Sequence, residues 1–447
     1  MNTKLWEKGT ETDAHLEAFT VGNDQELDLR LAPYDILGTK AHIIMLQHCD
    51  LLSKDELTKL LPELNHLYQR ALEQNLFIEQ GVEDIHSQVE LMLARKVGEA
   101  GKKIHSGRSR NDQVLLDIKL FVRDQIHSIA KKTAHLFEVF INKAEQHQHD
   151  LLPGYTHLQV AMPSSFGLWF SAYAESLSDD LHQLHAAWKI ANQNPLGSAA
   201  GYGSSFPLDR DMTTRMMGFD TLSFNVVYAQ MTRGKTEKAI AVAMAALAQT
   251  LSKFATDACL YMSQNFGFIE LPDAFTTGSS IMPHKKNPDL FELLRARCNK
   301  IQALPEQITL LTANLPSGYF RDYQLLKELL FPALEELLSC LEMCALAVKH
   351  IQVKPNILDA PKYAHIFSVE NVNRLVLKGM SFREAYQAVA QQIATGQFQP
   401  EKELHHTLQG SIGNLCLKEI RQKFESGFEQ FSFEKVVQAM QALINMK

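Results

Sequence analysis

A glycine- and serine-rich segment at residues 276–289 carries the residues best suited to chemistry. It reads TTGSSIMPHKKNPD, so a flexible stretch with hydroxyl groups is followed at once by Lys285, Lys286 and Asn287. Serine hydroxyls, backbone N–H groups, ammonium groups and an amide can together bind an anion. The alternative is a solvated loop before a helix, with Pro288 in the first helical turn. The complete ordered string favours an active-site loop.

A second polar segment, HSGRSRNDQ at residues 105–113, precedes a long apolar pattern. Arg108 and Arg110 can each bind a carboxylate through two parallel hydrogen bonds, and the N-terminus of the following helix presents N–H groups to the same charge. We expect Asp112 to cap that helix. Taken alone, the segment is equally compatible with a solvated capping loop that carries surface arginines.

A third segment, PGYTHLQVAMP at residues 153–163, lies between two long apolar patterns. His157 can donate a proton near neutral pH, and Thr156 can position or relay it. A lone histidine in a loop is more often an ordinary surface residue, and this chain has 18 histidines. Residue chemistry alone therefore does not assign His157 to a site.

The fourth segment is GYFRDYQLLK at residues 318–327. Gln324 and Lys327 are three positions apart, so they would share one face of a helix and could bind one ligand. By composition alone, they are typical of an ordinary exposed helix face.

Long helices must position these four segments. Residues 112–148 have apolar side chains at every third or fourth position and no glycine or proline, which predicts a helix roughly 50 Å long. Further long helices are predicted at residues 163–191, 235–265, 288–312 and 322–350. Pro305 and Pro332 should kink or split the last two. Because such helices need neighbours of matching length, we predict a near-parallel bundle of about five.

Shorter helices and loops flank this bundle, and no strand-rich stretch is evident. The chain is therefore predicted to be all-α, with three parts. These are a small helical N-terminal domain at residues 1–103, a central long-helix bundle at residues 104–353, and a small helical C-terminal domain at residues 354–447.

The composition of the 447-residue chain is that of a soluble globular protein. A net charge of -7 and a pI near 6.2 argue against binding to nucleic acid or to a membrane surface. No signal peptide and no run of about 18 apolar residues is recognised, so we expect a cytoplasmic location. The six cysteines form no CxxC pair, which indicates free thiols. A metal site at Cys340 and Cys344 is not expected, because no further ligand accompanies them.

The four polar segments together resemble those of the fumarase/aspartase superfamily of lyases, and within it the argininosuccinate lyase family. Residues 276–289 are similar to the superfamily signature almost letter for letter. RSRNDQ at 108–113 and GYTHLQ at 154–159 resemble segments of the lyase family, and the likeness extends to residues 83–86, 194–198 and 382–385.

This resemblance implies a fumarase/aspartase-like fold and a homotetramer whose central helices form a shared bundle. Each active site would take segments from three subunits. The implied reaction is a β-elimination that splits argininosuccinate, a small dicarboxylate-containing substrate, into arginine and fumarate. No metal or organic cofactor would be required.

The resemblance also implies the acid and the base of the reaction. Ser279 would be the general base, although residue chemistry alone does not distinguish it from Ser280. His157, together with Thr156 and oriented by Glu292, would be the general acid toward the departing nitrogen.

Charge on the carbanion intermediate, delocalised into a carboxylate, would be stabilised by Lys285 and Asn287. The implied substrate-binding residues are Arg108, Arg110, Asn111, Gln113, Asn287, Tyr319, Gln324 and Lys327.

Two segments depart from the family pattern. Where the family has Phe-Asn-Ala-Ser-Ile, residues 19–24 read FTVGND, so no serine is carried over. Where the family has Ser-Asp-Arg-Asp, residues 231–234 read MTRG, which keeps Arg233 and loses both acids.

Adenylosuccinate lyase is the nearest alternative, since it performs the same elimination on a nucleotide, but it would need additional phosphate-binding groups. Fumarase and aspartase act on smaller substrates that do not call for the segment at 108–113. A structural protein with this fold, such as a lens crystallin, is the alternative of another class. The joint presence of Ser279, His157, Lys285 and Glu292 argues against it, because a packed scaffold has no need of them.

Overall fold

The computed structural model describes residues 13–404 and 406–447, without the side chains of Ala14 and Glu17. Helices dominate these residues, which confirms the all-α fold class. The three-part division of the chain stays a prediction.

From residue 13 onward, where the described part of the chain begins, six helices precede the bundle, and α3, α4 and α5 pack around a separate apolar core. The helix α4 begins with a capping box between Ser53 and Glu56, and it buries Leu60, Leu64 and Leu67 on one face. The six are α1 (Ala14–Val21), α2 (Asp24–Leu29), α3 (Ala32–His48), α4 (Lys54–Leu72), α5 (Ile85–Val97) and α6 (Glu99–Lys103).

The central helices form the main core, in which α7 packs against α8 and α14, and α11 packs against α8 and α12. They are α7 (Arg110–Gln146), α8 (Phe166–Ala191), α9 (Arg210–Met216), α10 (Val226–Met231), α11 (Lys235–Met262), α12 (Asp289–Gln302), α13 (Leu304–Leu311) and α14 (Leu326–His350). Within the described residues, α11 alone is long and apolar enough to span a membrane, but it lies in this core.

The two prolines act differently. Pro305 lies in the first turn of α13 and marks the break from α12, as expected. Pro332 lies inside α14, which continues through it. Leu330, Phe331 and Leu334 are fully buried there, and their burial outweighs the loss of one backbone hydrogen bond.

A β-hairpin that the sequence did not reveal connects α7 to α8. It consists of β1 (Leu151–Thr156) and β2 (Gln159–Ser165), with Pro153 opposite Pro163. The predicted helix start at residue 163 was therefore wrong, since residues 159–165 pair with β1. The helix starts at Phe166, where Ser165 accepts a hydrogen bond from the Leu168 N–H at 3.1 Å.

Four two-residue strands and four 3₁₀ segments complete the connections. β3 (Gln193–Asn194) pairs with β4 (Thr221–Leu222), and β5 (Ile269–Glu270) pairs with β6 (Gln352–Val353). The 3₁₀ segments are Asp273–Phe275, Arg321–Leu325, Ile357–Asp359 and Pro361–Phe367.

The chain ends in α15 (Ser368–Leu377), α16 (Phe382–Ala394), α17 (Leu417–Phe428) and α18 (Phe433–Asn445). A small core joins α15 to α16. In contrast, α17 packs on α7 and α8, and α18 packs on α3 and α9. The last two helices therefore pack against helices from earlier in the chain.

Candidate active site

Residues 276–289, the signature loop, leave the bundle after α11 and lead into α12. The loop is closed at its base, where the Asn287 N–H donates to the Thr277 carbonyl at 2.8 Å. The Asn287 side-chain amide donates to the Gly278 carbonyl and to the Thr277 hydroxyl, both at 3.4 Å. Lys285 is exposed, so its ammonium group is free to meet an anion.

Within this loop Ser279 differs from Ser280. The Ser279 hydroxyl oxygen accepts the backbone N–H of Met282 at 3.2 Å and that of Ile281 at 3.4 Å. Ser279 is half-buried, whereas Ser280 is exposed. Backbone N–H groups aimed at an oxygen stabilise negative charge on it, so Ser279 has the surroundings that favour an alkoxide.

A cavity of about 190 Å³ brings together four of the predicted substrate-binding residues: Arg110, Tyr319, Gln324 and Lys327. We call it the cationic pocket. Its other lining residues are Asp24, Asp28, His86, Val114, Arg233 and Arg321.

Lys327 lies at the buried end of the cationic pocket and is held by two carboxylates. Its Nζ is 2.5 Å from Oδ1 of Asp24 and also pairs with Asp28. Burial disfavours the charged ammonium, but Asp28 and Asp24 outweigh it and raise the pKa of Lys327. Asp24 and Asp28 are four positions apart on one helix face, a spacing that could have identified them as a pair.

Gln324 belongs to a 3₁₀ segment just before α14. Its amide donates to the carbonyls of Thr20 and Val21 at 3.1 and 3.0 Å. Both residues belong to the segment at 19–24 that departs from the family pattern. That segment therefore contacts the predicted site residues although its sequence differs.

Arg233 also lines this pocket and is buried. The two acids that flank this arginine in the family pattern are missing from the sequence. Its Nε lies 2.7 Å from Oε1 of Glu237, and its Nη2 donates to the Tyr323 carbonyl at 2.7 Å. Oε2 of Glu237 accepts the Gly234 N–H at 2.8 Å. Glu237 thus supplies the counter-charge, and the four-residue spacing from Arg233 was a usable signal.

The predicted arginines of residues 105–113 have partners inside the chain. Arg110 pairs with Glu83 at 2.6 Å and also with Asp84. Burial disfavours the charged form, but these two carboxylates outweigh it and raise the pKa of Arg110. Arg108 is buried, and its Nη1 donates to the Thr39 hydroxyl at 2.8 Å.

The start of α7 corrects one expectation, because Ser109 and not Asp112 is the capping residue. Asp112 is the third helical residue of the capping box, and its Oδ1 accepts the Ser109 N–H at 2.8 Å. Oδ2 accepts the N–H groups of Gly197 and Ala199 at 3.0 and 2.9 Å. Burial raises the pKa of Asp112 to about 6, although these hydrogen bonds favour the charged carboxylate and lower its pKa. Asp112 therefore ties the loop after β3 to the helix, while Asn111 lies half-buried in the first turn.

A buried charge cluster lies behind the same turn. Nδ1 of His86 is 2.8 Å from Asp35 and 3.4 Å from Asp117. Burial disfavours the imidazolium, but these carboxylates and Asp84 outweigh it and raise the pKa of His86 to about 10. Gln113 also contacts Asp35, with its amide donating at 3.4 Å. Ligand atoms of Asp35, His86 and Asp117 are close enough to hold a metal ion, but the charged imidazole already accounts for the arrangement.

The predicted general acid lies elsewhere. His157 forms the hairpin tip with φ 52°, and both His157 and Thr156 are exposed. Glu292 is exposed in the first turn of α12. Within residues 13–404 and 406–447, His157 and Glu292 form no ion pair with each other. Within the described residues, no hydrogen bond or ion pair joins the signature loop, the cationic pocket and the hairpin tip to one another.

Comparisons with known proteins identify the family of the chain. A family described as lyase matches residues 7–303. An argininosuccinate lyase from Parabacteroides distasonis is 59% identical over 445 residues, covering 100% of both chains. The chain belongs to the argininosuccinate lyase family. It is accordingly an enzyme of the lyase class.

Solved structures show that this chain shares its fold with more distant enzymes. EDDS lyase in complex with formate has a TM-score of 0.77 and 22% identity, over 97% of this chain and 95% of that one. Class II fumarase from Schistosoma mansoni has a TM-score of 0.70 and 16% identity, over 96% and 95% of the two chains. The fold is therefore fumarase-like, as predicted.

Proposed function

We propose that this chain splits argininosuccinate into arginine and fumarate by β-elimination, as a step of arginine biosynthesis. The observation that carries the proposal is the 59% identity with an argininosuccinate lyase over the full length of both chains. The cationic pocket supports it, because it brings the hydrogen-bond donors of Arg110, Arg233, Arg321 and Lys327 to one cavity, where a substrate carboxylate would share them with the carboxylates of the chain that already pair with them.

In the proposed mechanism, Ser279 is the general base. Its hydroxyl oxygen accepts hydrogen bonds from two backbone N–H groups. These bonds would stabilise the alkoxide required to remove a carbon-bound proton. Lys285 and Asn287 of the same loop stabilise the negative charge that develops on the substrate carboxylate. Closure of the loop over the substrate would bring Lys285 out of solvent and strengthen this effect.

His157 is the proposed general acid, which protonates the departing nitrogen. Thr156 positions the proton and Glu292 orients the imidazole. All three side chains are exposed. Their exposure supports a role in an active site formed with a neighbouring subunit. Substrate contacts are assigned to Arg108, Arg110, Asn111, Gln113, Asn287, Tyr319, Gln324 and Lys327. Arg108 and Gln113 are buried, so they would act on the substrate through the first turn of α7.

We infer that the active enzyme is a homotetramer with shared sites. The long helices expose large apolar side chains that a monomer would leave in water. They are Val242 and Leu260 of α11, Leu293 of α12, Leu310 of α13, and Met343 and Leu346 of α14. We place the enzyme in the cytoplasm and assign it no cofactor, no nucleic acid and no membrane partner.

The deciding experiment measures fumarate release by purified protein from argininosuccinate and, in parallel, from adenylosuccinate, with no metal added. Turnover of argininosuccinate alone is the expected result. Release from adenylosuccinate alone would transfer the assignment to the nucleotide enzyme, and no release from either would support a structural protein.

A further inference from the structure

A second cavity, of about 320 Å³, lies where α18 covers α3, α4, α7 and the end of α8. We call it the aromatic cavity. It shares no lining residue with the cationic pocket, and none comes from the signature loop or the hairpin tip. Its volume falls at the lower end of the range of about 300–1,000 Å³ found for small-molecule sites.

Aromatic rings from four helices form much of its wall. Tyr34 and Tyr68 come from α3 and α4, and Trp188 and Phe433 come from α8 and α18. The ring centroid of His127 lies 4.4 Å from that of Phe433. The faces of such rings attract organic cations, and more strongly when water is excluded.

Asp124 places a carboxylate at the edge of this wall. Its Oδ2 accepts a hydrogen bond from the Tyr34 hydroxyl at 2.9 Å, which fixes its orientation. The residue is exposed. In the described part of the chain, no lysine, arginine or histidine lies within ion-pair distance of Asp124. The carboxylate is therefore accessible to a ligand.

The other ionisable groups of the described lining form no hydrogen bond or ion pair with that carboxylate, although Arg123 and His127 lie close enough to interact with its charge. The Arg123 guanidinium is buried, donates to the Asn192 side chain and the Met217 carbonyl at 2.9 Å each, and lies over the Phe219 ring. Burial and the nearby Lys131 lower the pKa of His127 and outweigh Asp124, which raises it. The balance favours the uncharged imidazole.

We propose that the aromatic cavity binds a small monovalent organic cation with a flat or apolar body, such as an amidinium or guanidinium compound. Its charge would face Asp124, and its body would lie against the rings of Tyr34, Tyr68 and Phe433. A carboxylate, aromatic rings and an apolar interior are together the features that select such a molecule over a neutral one of the same shape.

Benzamidine and its neutral isostere benzamide form a matched pair of probes, to be titrated calorimetrically into the full-length protein. Benzamidine should bind with a Kd of about 1 mM or lower, and benzamide should bind at least about tenfold more weakly. Asp124→Asn keeps an acceptor for Tyr34 but removes the charge, so it should weaken the binding of benzamidine by about tenfold. Val437→Trp, on the exposed part of α18 that lines the cavity, should fill it and abolish binding.

Thermal unfolding and fumarate release serve as controls that both variants are folded. No saturable benzamidine binding to the parent protein would overturn the proposal. Equal affinity for the two probes, or unchanged benzamidine affinity in either variant, would overturn it as well. These results are independent of the proposed lyase activity, because no residue of the aromatic cavity has a role in that reaction.

Discussion

Nδ1 of His86 on α5 lies 2.8 Å from Oδ1 of Asp35 on α3, and both side chains are buried. Asp117 on α7 completes the contact at 3.4 Å. The imidazolium therefore links α3, α5 and α7 next to the first turn of α7, where Asn111 is half-buried and Gln113 is buried and donates to Asp35.

We expect His86→Gln to destabilise the protein by about 3–5 kcal/mol, because it leaves two buried carboxylates without their counter-charge. Urea unfolding measures the effect. His66→Gln, an exposed position on α4, is the matched control and should change stability little. A loss similar to that of the control would show that the cluster does not depend on the charge of His86.

The same variant has a predictable pH dependence. The pKa of His86 is about 10 in the folded protein, above the usual value of 6.5, because Asp35 and Asp117 outweigh the effect of burial. Its stabilisation is therefore fully present below about pH 6.5 and is lost as the pH rises toward about 10. The difference in unfolding free energy between parent and His86→Gln should be larger at about pH 6 than at about pH 9. A difference that grows with pH would contradict the assignment.

Asp112→Ala should cost about 1–3 kcal/mol, because it removes the acceptor of the N–H groups of Gly197, which is buried, and Ala199, which is half-buried. Asp112→Asn retains one acceptor oxygen and should lie between the parent and the alanine variant. Urea midpoints compare the three proteins, and hydrogen exchange at Gly197 and Ala199 should accelerate in Asp112→Ala. Unchanged exchange there would show that Asp112 does not hold the loop.

The long helices were predictable from sequence because their apolar residues recur with helical spacing over many turns. The hairpin between α7 and α8 was not, because Pro153, Gly154 and Pro163 hide the alternation of a strand. Its five residue pairs are stabilised by packing on neighbouring segments, which no local pattern reports.

Predictions about the site were limited by distance along the chain. Arg110, Tyr319 and Lys327 are separated by up to about two hundred residues, yet they line one cavity, and only the resemblance to a family connected them. Asp28, a partner of Lys327, and Glu237, the partner of Arg233, were missed. Asp28 lies four residues after Asp24, and Glu237 lies four residues after Arg233, so both helical spacings could have been tested. Residue types alone cannot show whether His157 and the signature loop meet within a chain or between chains.

Gly167→Ala should destabilise the protein by about 1–3 kcal/mol through overpacking. A Cβ there would lie 2.6 Å from the Gln148 Cα and 2.8 Å from the Ala144 carbonyl oxygen, and this backbone cannot move aside cheaply. Gly427→Ala is the control on α17, where the nearest atom is a Leu181 methyl at 3.4 Å. It should be neutral or stabilise by about 0.4–1 kcal/mol. Equal midpoints for the two variants in thermal unfolding would contradict this reading of the contact.

Ser279→Ala should lower turnover by about 10²–10⁴-fold, the usual contribution of a general base. The loop residue is only half-buried, so the unfolding midpoint should stay close to that of the parent. Ser280→Ala is the matched neighbour and should retain most of the activity. If Ser280→Ala were the inactive variant, the base would be Ser280, and the two N–H groups at Ser279 would have a structural role only.

Mixing two inactive variants tests whether sites are shared between subunits. His157→Asn removes the proposed acid from the hairpin tip, and Ser279→Ala removes the base from the signature loop. If each site takes these residues from different chains, random assortment in a tetramer leaves about one quarter of the sites with both intact. Co-expression of the two variants should therefore restore fumarate release to about that fraction of the parent, while each variant alone stays inactive. The same total concentration of a single variant is the control. If co-expression restored nothing although mixed tetramers were present by mass spectrometry, His157 and Ser279 would have to act from the same chain.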